Sequence, residues 1–225
     1  CIGVSVASLW GFANSSLFSS KNQEAEFSPP RSSALFSSLT QKKSQVIMVN
    51  GNDINKMMRK GLEALNLPED FFRDKKAVIK PNTHWSEDYP STTDPASLLP
   101  LIDFLRQRKS GNITVADGSG KDLPSYRSAF EYINYENIVG AKGVNIVPID
   151  IWKLNDFILV KNSQWSILSA LSIHPIIYNA SILISMTCLK RHGRPQLTAA
   201  LKNNVGAISA RSRYCLLYTS DAADE

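Results

Sequence analysis

Ala77-Val78-Ile79-Lys80-Pro81-Asn82 decides how this chain is read. Its apolar start has strand length, and the lysine that ends the run precedes a proline that favours an extended backbone before it. A cation at the end of a buried strand needs an oxygen partner, because an unpaired charge taken out of water is costly. The arrangement recurs along the chain. Val46-Ile47-Met48-Val49 runs into Asn50-Gly51-Asn52-Asp53, and Ile113-Thr114-Val115-Ala116 into Asp117-Gly118-Ser119-Gly120. Asn145-Ile146-Val147-Pro148-Ile149 ends in Asp150, and Ala180-Ser181-Ile182-Leu183-Ile184-Ser185-Met186 leads to Thr187-Cys188-Leu189-Lys190-Arg191-His192-Gly193.

Helical patterns lie between these runs. Ile54, Met57, Met58, Gly61, Leu62 and Leu65 recur at helical spacing behind an Asp53 N-cap, with Pro68 just past the end. A second helix starts at Pro95, a favoured first-turn proline, and buries Leu98, Leu99, Leu101, Ile102 and Leu105. A third helical stretch runs near Tyr126 to Val139, and residues 157–160 and 166–169 read as a small β-hairpin inserted around Asn162-Ser163-Gln164. The order β-α-β-α-β-α-β with short connections predicts an α/β fold, a mainly parallel sheet with helices on both faces. The carboxyl ends of parallel strands lie along one edge, where such sheets bind ligands, so the polar clusters should converge.

Residues 45–214 are expected to form this one domain. Before them, the apolar run from Cys1 to Ala13 has the length of a secretory h-region rather than a membrane span, and residues 14–44 read as a Ser- and Pro-rich linker. These features predict an exported, periplasmic protein that meets a membrane only through that signal or anchor. Residues 215–225 read as the translation of a sequencing adapter, which would make the chain a fragment assembled from environmental DNA and these residues no part of its fold. Leaving out their acids, Asp221, Asp224 and Glu225, raises the formal charge from +5 to +8. A basic balance favours anionic partners, and the scatter of the lysines and arginines does not favour nucleic acid. The sequence is silent on oligomeric state and names no cofactor.

The expected site gathers these strand ends around a small anionic ligand. Lys80, Lys190 and Lys202 would hold phosphate or carboxylate oxygens, with Asn82, Arg191 and Asn203 beside them. Thr92, Thr93 and Asp94 either cap the helix at Pro95 or present hydroxyls and N–H groups to an oxyanion. Gly118, Ser119 and Gly120 permit close backbone approach. Thr198 and Lys202, four apart, would share a helical face. Asp117 and His192 would be the acid/base pair. Cys188 is either a thiol activated by neighbouring charge or an apolar filler, and His174 before Pro175 reads as a structural loop residue. The three histidines are too spread for a metal cluster.

Val78-Ile79-Lys80-Pro81-Asn82, Thr92-Thr93-Asp94-Pro95, Val115 to Gly120, Leu189 to Gly193 and Leu201-Lys202-Asn203-Asn204-Val205-Gly206, taken in this order, resemble the family catalogued as domain of unknown function 362. The resemblance covers about Gln45 to Arg213. It implies an uncharacterised protein; some members look like exported bacterial proteins with a twin-arginine signal, and others carry a ferredoxin-type iron–sulfur module. The familiar lysine-threonine-histidine pattern is Lys190-Arg191-His192 in this chain. The leading expectation is an enzyme acting on a small anionic substrate. The alternatives are a non-catalytic anion-binding protein, or a redox or iron–sulfur-associated protein whose cluster module would lie in a missing C-terminal region.

Overall fold

A computed structural model describes residues 24–26, 46–83, 89–118, 134–149, 154–161, 168–191 and 197–221. Its strands are β1 (Glu24–Glu26), β2 (Ala77–Lys80), β3 (Ile113–Asp117), β4 (Asn145–Pro148), β5 (Ile158–Lys161), β6 (Ala170–Ile173), β7 (Ile182–Ser185), β8 (Lys190–Arg191) and β9 (Leu197–Thr198). The α-helices are α1 (Ile54–Ala64), α2 (Leu99–Gln107), α3 (Tyr135–Ile138), α4 (Pro175–Tyr178), α5 (Ala200–Asn203) and α6 (Ala210–Asp221). The chain is an α/β protein built on a four-stranded parallel sheet of order β4-β3-β2-β7. It winds outward through β2, β3 and β4, then returns to add β7 on the free side of β2. The sheet therefore reverses direction between β2 and β7, and the crevice beyond their carboxyl ends is where such a fold opens to ligands.

Strand alternation divides the core between two faces. Ala77, Ile79, Ile113, Val115, Ile182 and Ile184 meet Met58 and Leu62 of α1 and the buried face of α2 on one side. Val78, Ala116 and Val147 meet Phe157, Ile177 of α4 and Ala207 on the other. β2 is buried along its whole length because strands flank it and hydrophobic layers cover both faces. The helix starts follow local chemistry. Asp53 Oδ1 accepts hydrogen bonds from the N–H groups of Asn55 (3.0 Å) and Lys56 (3.1 Å), which also lowers the Asp53 pKa. Asp94 Oδ1 accepts from Ala96 N–H (2.9 Å) and starts a 3-10 turn, Pro95–Leu98, that continues into α2.

Several expected boundaries move. Residues 46–49 form no strand; Val46 and Met48 are 85% and 92% exposed. Their β-branched and apolar character suits a strand, but among the described residues no neighbouring strand supplies the ladder, and propensity without pairing does not make a sheet. Ala170–Ile173 pairs with β5 in antiparallel register; of the expected second strand at 166–169, residues 166 and 167 lie outside the described residues and 168 and 169 precede β6. Within the stretch read as a linker, β1 lies parallel to β5. Helix α6 runs across Cys215 to Asp221. Among the described residues, no helix is long and apolar enough to cross a membrane.

Candidate functional site

Lys80 ends β2, Asp117 ends β3 and Ser185 ends β7, so the sheet itself delivers these side chains to one edge. The Lys80 ammonium has three N–H donors. It forms an ion pair with Asp117 Oδ1 and also donates to Asn203 Oδ1 (3.1 Å) and to the Pro81 carbonyl (3.3 Å). Asp117 Oδ2 accepts from Thr83 twice, from its N–H (2.7 Å) and its hydroxyl (2.9 Å). Asn203 completes the network by donating from Nδ2 to the Lys80 carbonyl (2.9 Å) and to Ser185 Oγ (2.9 Å). Lys80 and Asp117 are 1% and 3% exposed. A buried ion pair survives only when its remaining hydrogen-bonding capacity is met, and here the polar atoms meet one another.

Gly206 closes this network from above. A Cβ at that position would strike Asp117 Oδ1, and would stand 2.9 Å from Lys80 Nζ and 3.0 Å from the Gly118 carbonyl. Only a residue without a side chain lets the 3-10 segment Asn204–Ala207 lie this close to the pair.

Thr93 ties the same edge together through its backbone and its hydroxyl. Its Oγ1 accepts from Asn82 N–H (2.9 Å) and donates to the Met186 carbonyl (2.9 Å), while Thr93 N–H donates to the Asn82 carbonyl (2.9 Å). Tyr135, buried in the core, donates its hydroxyl to the Thr93 carbonyl (2.7 Å). Burial pushes the Tyr135 pKa well above its usual value, and the charges of Asp117 and Asp94 push it further. Of the two readings of Thr92-Thr93-Asp94, the structure thus gives Asp94 the cap, and gives Thr93 a hydroxyl engaged by backbone groups. Thr92 is buried, and its carbonyl lies 3.8 Å from Cys188 Sγ. Burial raises the Cys188 pKa against the opposing pull of Lys190, so this thiol is a packed core group rather than an activated nucleophile.

Lys190 and Lys202 form a second region. Strand β8 pairs antiparallel with β9 and sets Lys190 opposite Thr198, while Arg191 is exposed. Lys190 Nζ donates to the Ser91 carbonyl, which pins it to the loop before the Asp94 cap. Thr198 belongs to β9 and not to a helix shared with Lys202, a departure from the expected common face. Ala199 is extended, so α5 starts only at Ala200. Lys202 is half-buried on α5. Burial lowers its pKa, and the nearby positive charge of Lys190 lowers it further.

The expected site thus resolves into two regions. Lys80, Asn82, Thr93, Asp117 and Asn203 come together in buried polar contacts at the strand ends, with Gly118 beside them under Gly206. Lys190 on β8 and Lys202 on α5 are each half-buried, and Asp94 caps α2's leading turn. His192, Ser119 and Gly120 lie outside the described residues. Thr83, Ser185, Tyr135 and Gly206 were not expected in the site. Thr83 directly follows the Lys80-Pro81-Asn82 motif and Gly206 ends the Lys202-Asn203-Asn204 motif, so position in the motif was the available signal for both. No grouping of three or more metal-ligating His, Cys, Asp or Glu residues occurs among the described residues.

Fold and site together define a parallel α/β protein whose charged groups gather at the reversal of its sheet. Residues 77–220 match the model of the family described as Domain of unknown function (DUF362), and the chain belongs to that family. Among curated proteins, none matches it.

Proposed function

We propose that this chain binds a small anionic ligand, bearing a phosphate or carboxylate, at the carboxyl edge of its parallel sheet. Lys190 and Lys202 are the contacts, and the Lys80–Asp117 network is the floor that fixes the strand ends beneath them. The observation that carries the reading is positional: Lys190 is held to the Ser91 carbonyl, and Lys202 stands half-buried one residue before Asn203, which donates to the Lys80 carbonyl at the strand ends (2.9 Å). An anion beside Lys202 would offset the burial that lowers its pKa, and the position of both lysines in the segments after β7, near the reversal of the sheet, supports the same reading. Isothermal titration of inorganic phosphate into the protein tests it. Measurable binding that Lys202→Met reduces at least about tenfold, a change of about 1.4 kcal/mol, is the expected outcome. Equal binding by wild type and variant, or none by wild type, contradicts the proposal.

Turnover at this site would draw its proton carrier from His192, two positions past Lys190. Asp117 fits a positioning role better than that of general base, because both its carboxylate oxygens already accept hydrogen bonds. This saturation favours the reading of a binding protein without Asp117-driven acid/base chemistry. A His192→Ala variant that keeps phosphate binding and loses all hydrolysis of phosphate esters would restore the enzyme reading. Export remains part of the proposal through the Cys1–Ala13 run. Residues 1–44, behind a start codon and fused to a reporter active only in the periplasm, should deliver activity; a silent, stably expressed fusion contradicts export.

A further inference from the structure

We infer that Asn203 is the positioning residue of the proposed anion site: its carboxamide sets α5, and with it Lys202, against the strand ends. The inference rests on the proposed role of Lys202 and says what holds that lysine in place. α5 has only four residues, Ala200–Asn203, and a helix so short does not hold its own place in water. Apolar burial does little to seat it. Leu201 is 84% exposed, and Ala200 buries a single methyl group, whereas Asn203 is buried. A helix that turns its leucine to solvent and its asparagine inward inverts the usual pattern, so polar contacts set its position.

Those contacts reach both ends of α5. Asn203 Nδ2 donates to the Lys80 carbonyl at the end of β2 (2.9 Å) and to Ser185 Oγ at the end of β7 (2.9 Å), while Asn203 Oδ1 accepts from Lys80 Nζ (3.1 Å). The Ser185 hydroxyl accepts from Asn203, so its own proton goes to the carbonyl of Ala200, the first residue of α5 (3.4 Å). Residues 200 and 203 are thus both tied to the sheet, and Lys202 lies between them in the chain. A carboxamide suits this position because it offers an acceptor to the ammonium and donors to the carbonyl and the hydroxyl at once; a carboxylate has no donor, and an alkyl group has neither. Asn203 therefore acts on the ligand through Lys202 rather than by touching it. Binding is tighter when the binding group is held in place beforehand, so loosening α5 should lower affinity while every contact group remains.

Calorimetric titration of inorganic phosphate into the full chain, at fixed pH and ionic strength, separates the two levels of the claim. The variants are Asn203→Ala, Ser185→Ala and Lys202→Met, with Val160→Ala, a core truncation in β5 of the other sheet, as a control for lost stability. Asn203→Ala should bind at least about fivefold more weakly than wild type and Ser185→Ala at least about twofold, while Val160→Ala stays within about 1.5-fold. Added to Lys202→Met, Asn203→Ala should change the remaining affinity by less than about twofold, because the residue it positions is gone. Wild-type affinity in Asn203→Ala, or the same loss with and without Lys202, overturns the positioning role and leaves the anion site standing. Should Asn203→Ala fail to fold, wild-type affinity in Ser185→Ala overturns it instead. An equal loss in Val160→Ala assigns the effect to general destabilisation and overturns it as well. Absence of phosphate binding by a folded wild type overturns both the positioning role and the anion site.

Discussion

Lys80 and Lys202 are two lysines associated with the same edge of one sheet, and their circumstances are opposite. Lys80 is sealed in the core with a carboxylate, an amide oxygen and a carbonyl as acceptors. Lys202 is half-buried on α5, where burial lowers its pKa and the positive charge of Lys190 acts in the same direction. The first arrangement uses charge to join β2, β3, β7 and α5; the second leaves an ammonium partly open to solvent. A cation sealed in the core serves the fold, whereas a half-buried cation at the same edge is one a ligand can reach.

The widest test of this contrast is to break the matched pair. Asp117→Ala leaves the Lys80 ammonium buried without its carboxylate and should cost about 3–5 kcal/mol in denaturant unfolding. Replacing both partners, as Lys80→Met with Asp117→Leu, removes the stranded charge and should recover more than half of that loss. A double variant as unstable as the single one would show that the network acts through something other than charge matching.

His174 offers a pH test of the buried regions. It is fully buried, accepts from Ile176 N–H through Nδ1 (3.2 Å) and packs edge-on against Phe157. Burial lowers its pKa from 6.5 to about 4, partly offset by the negative charge of Asp156. Between those values the unfolded chain binds more protons than the folded one, so this contribution is intact above pH 6.5 and is lost as the pH falls toward 4. The loss from this group reaches about 3 kcal/mol. Comparing His174→Gln with wild type across the interval isolates it: the acid-induced loss should shrink in the variant, and identical slopes would exclude His174 as the cause.

Gly206→Ala tests the seal over the pair. A methyl group there meets Asp117, Lys80 and the Gly118 carbonyl, so the variant should lose about 1–3 kcal/mol. A variant as stable as wild type would mean that the 204–207 segment moves aside without cost.

The fold was legible where local chemistry and tertiary structure agree. Apolar runs marked β2, β3, β4 and β7, Asp53 announced the start of α1, and Asp94-Pro95 announced the turn into α2. Residues 46–49 show the limit: their composition suits a strand, but strand formation depends on a partner that no local pattern reveals. The convergence of Lys80, Asp117 and Asn203 on one edge followed from strand order and strand ends. Their mutual saturation did not, because the Lys80–Asn203 contact joins positions 123 residues apart and depends on side-chain geometry. The roles of Thr93 and Gly206 were hidden for the same reason. A threonine hydroxyl that bridges two backbone groups and one that awaits an oxyanion look alike in sequence.

The smallest effect on folding and the most direct test of the account come from Lys202→Met. Its unfolding free energy is to be measured beside that of wild type, first without ligand and then in saturating phosphate. Without ligand, removing a half-buried charge that its burial disfavours should leave stability within about 0.5 kcal/mol of wild type or raise it. With phosphate, wild type should gain about 1–3 kcal/mol and the variant less than half as much. Equal stabilisation of both proteins by phosphate, or a large loss of stability in the ligand-free variant, would contradict the claim that the Lys190–Lys202 pair is held for an anion.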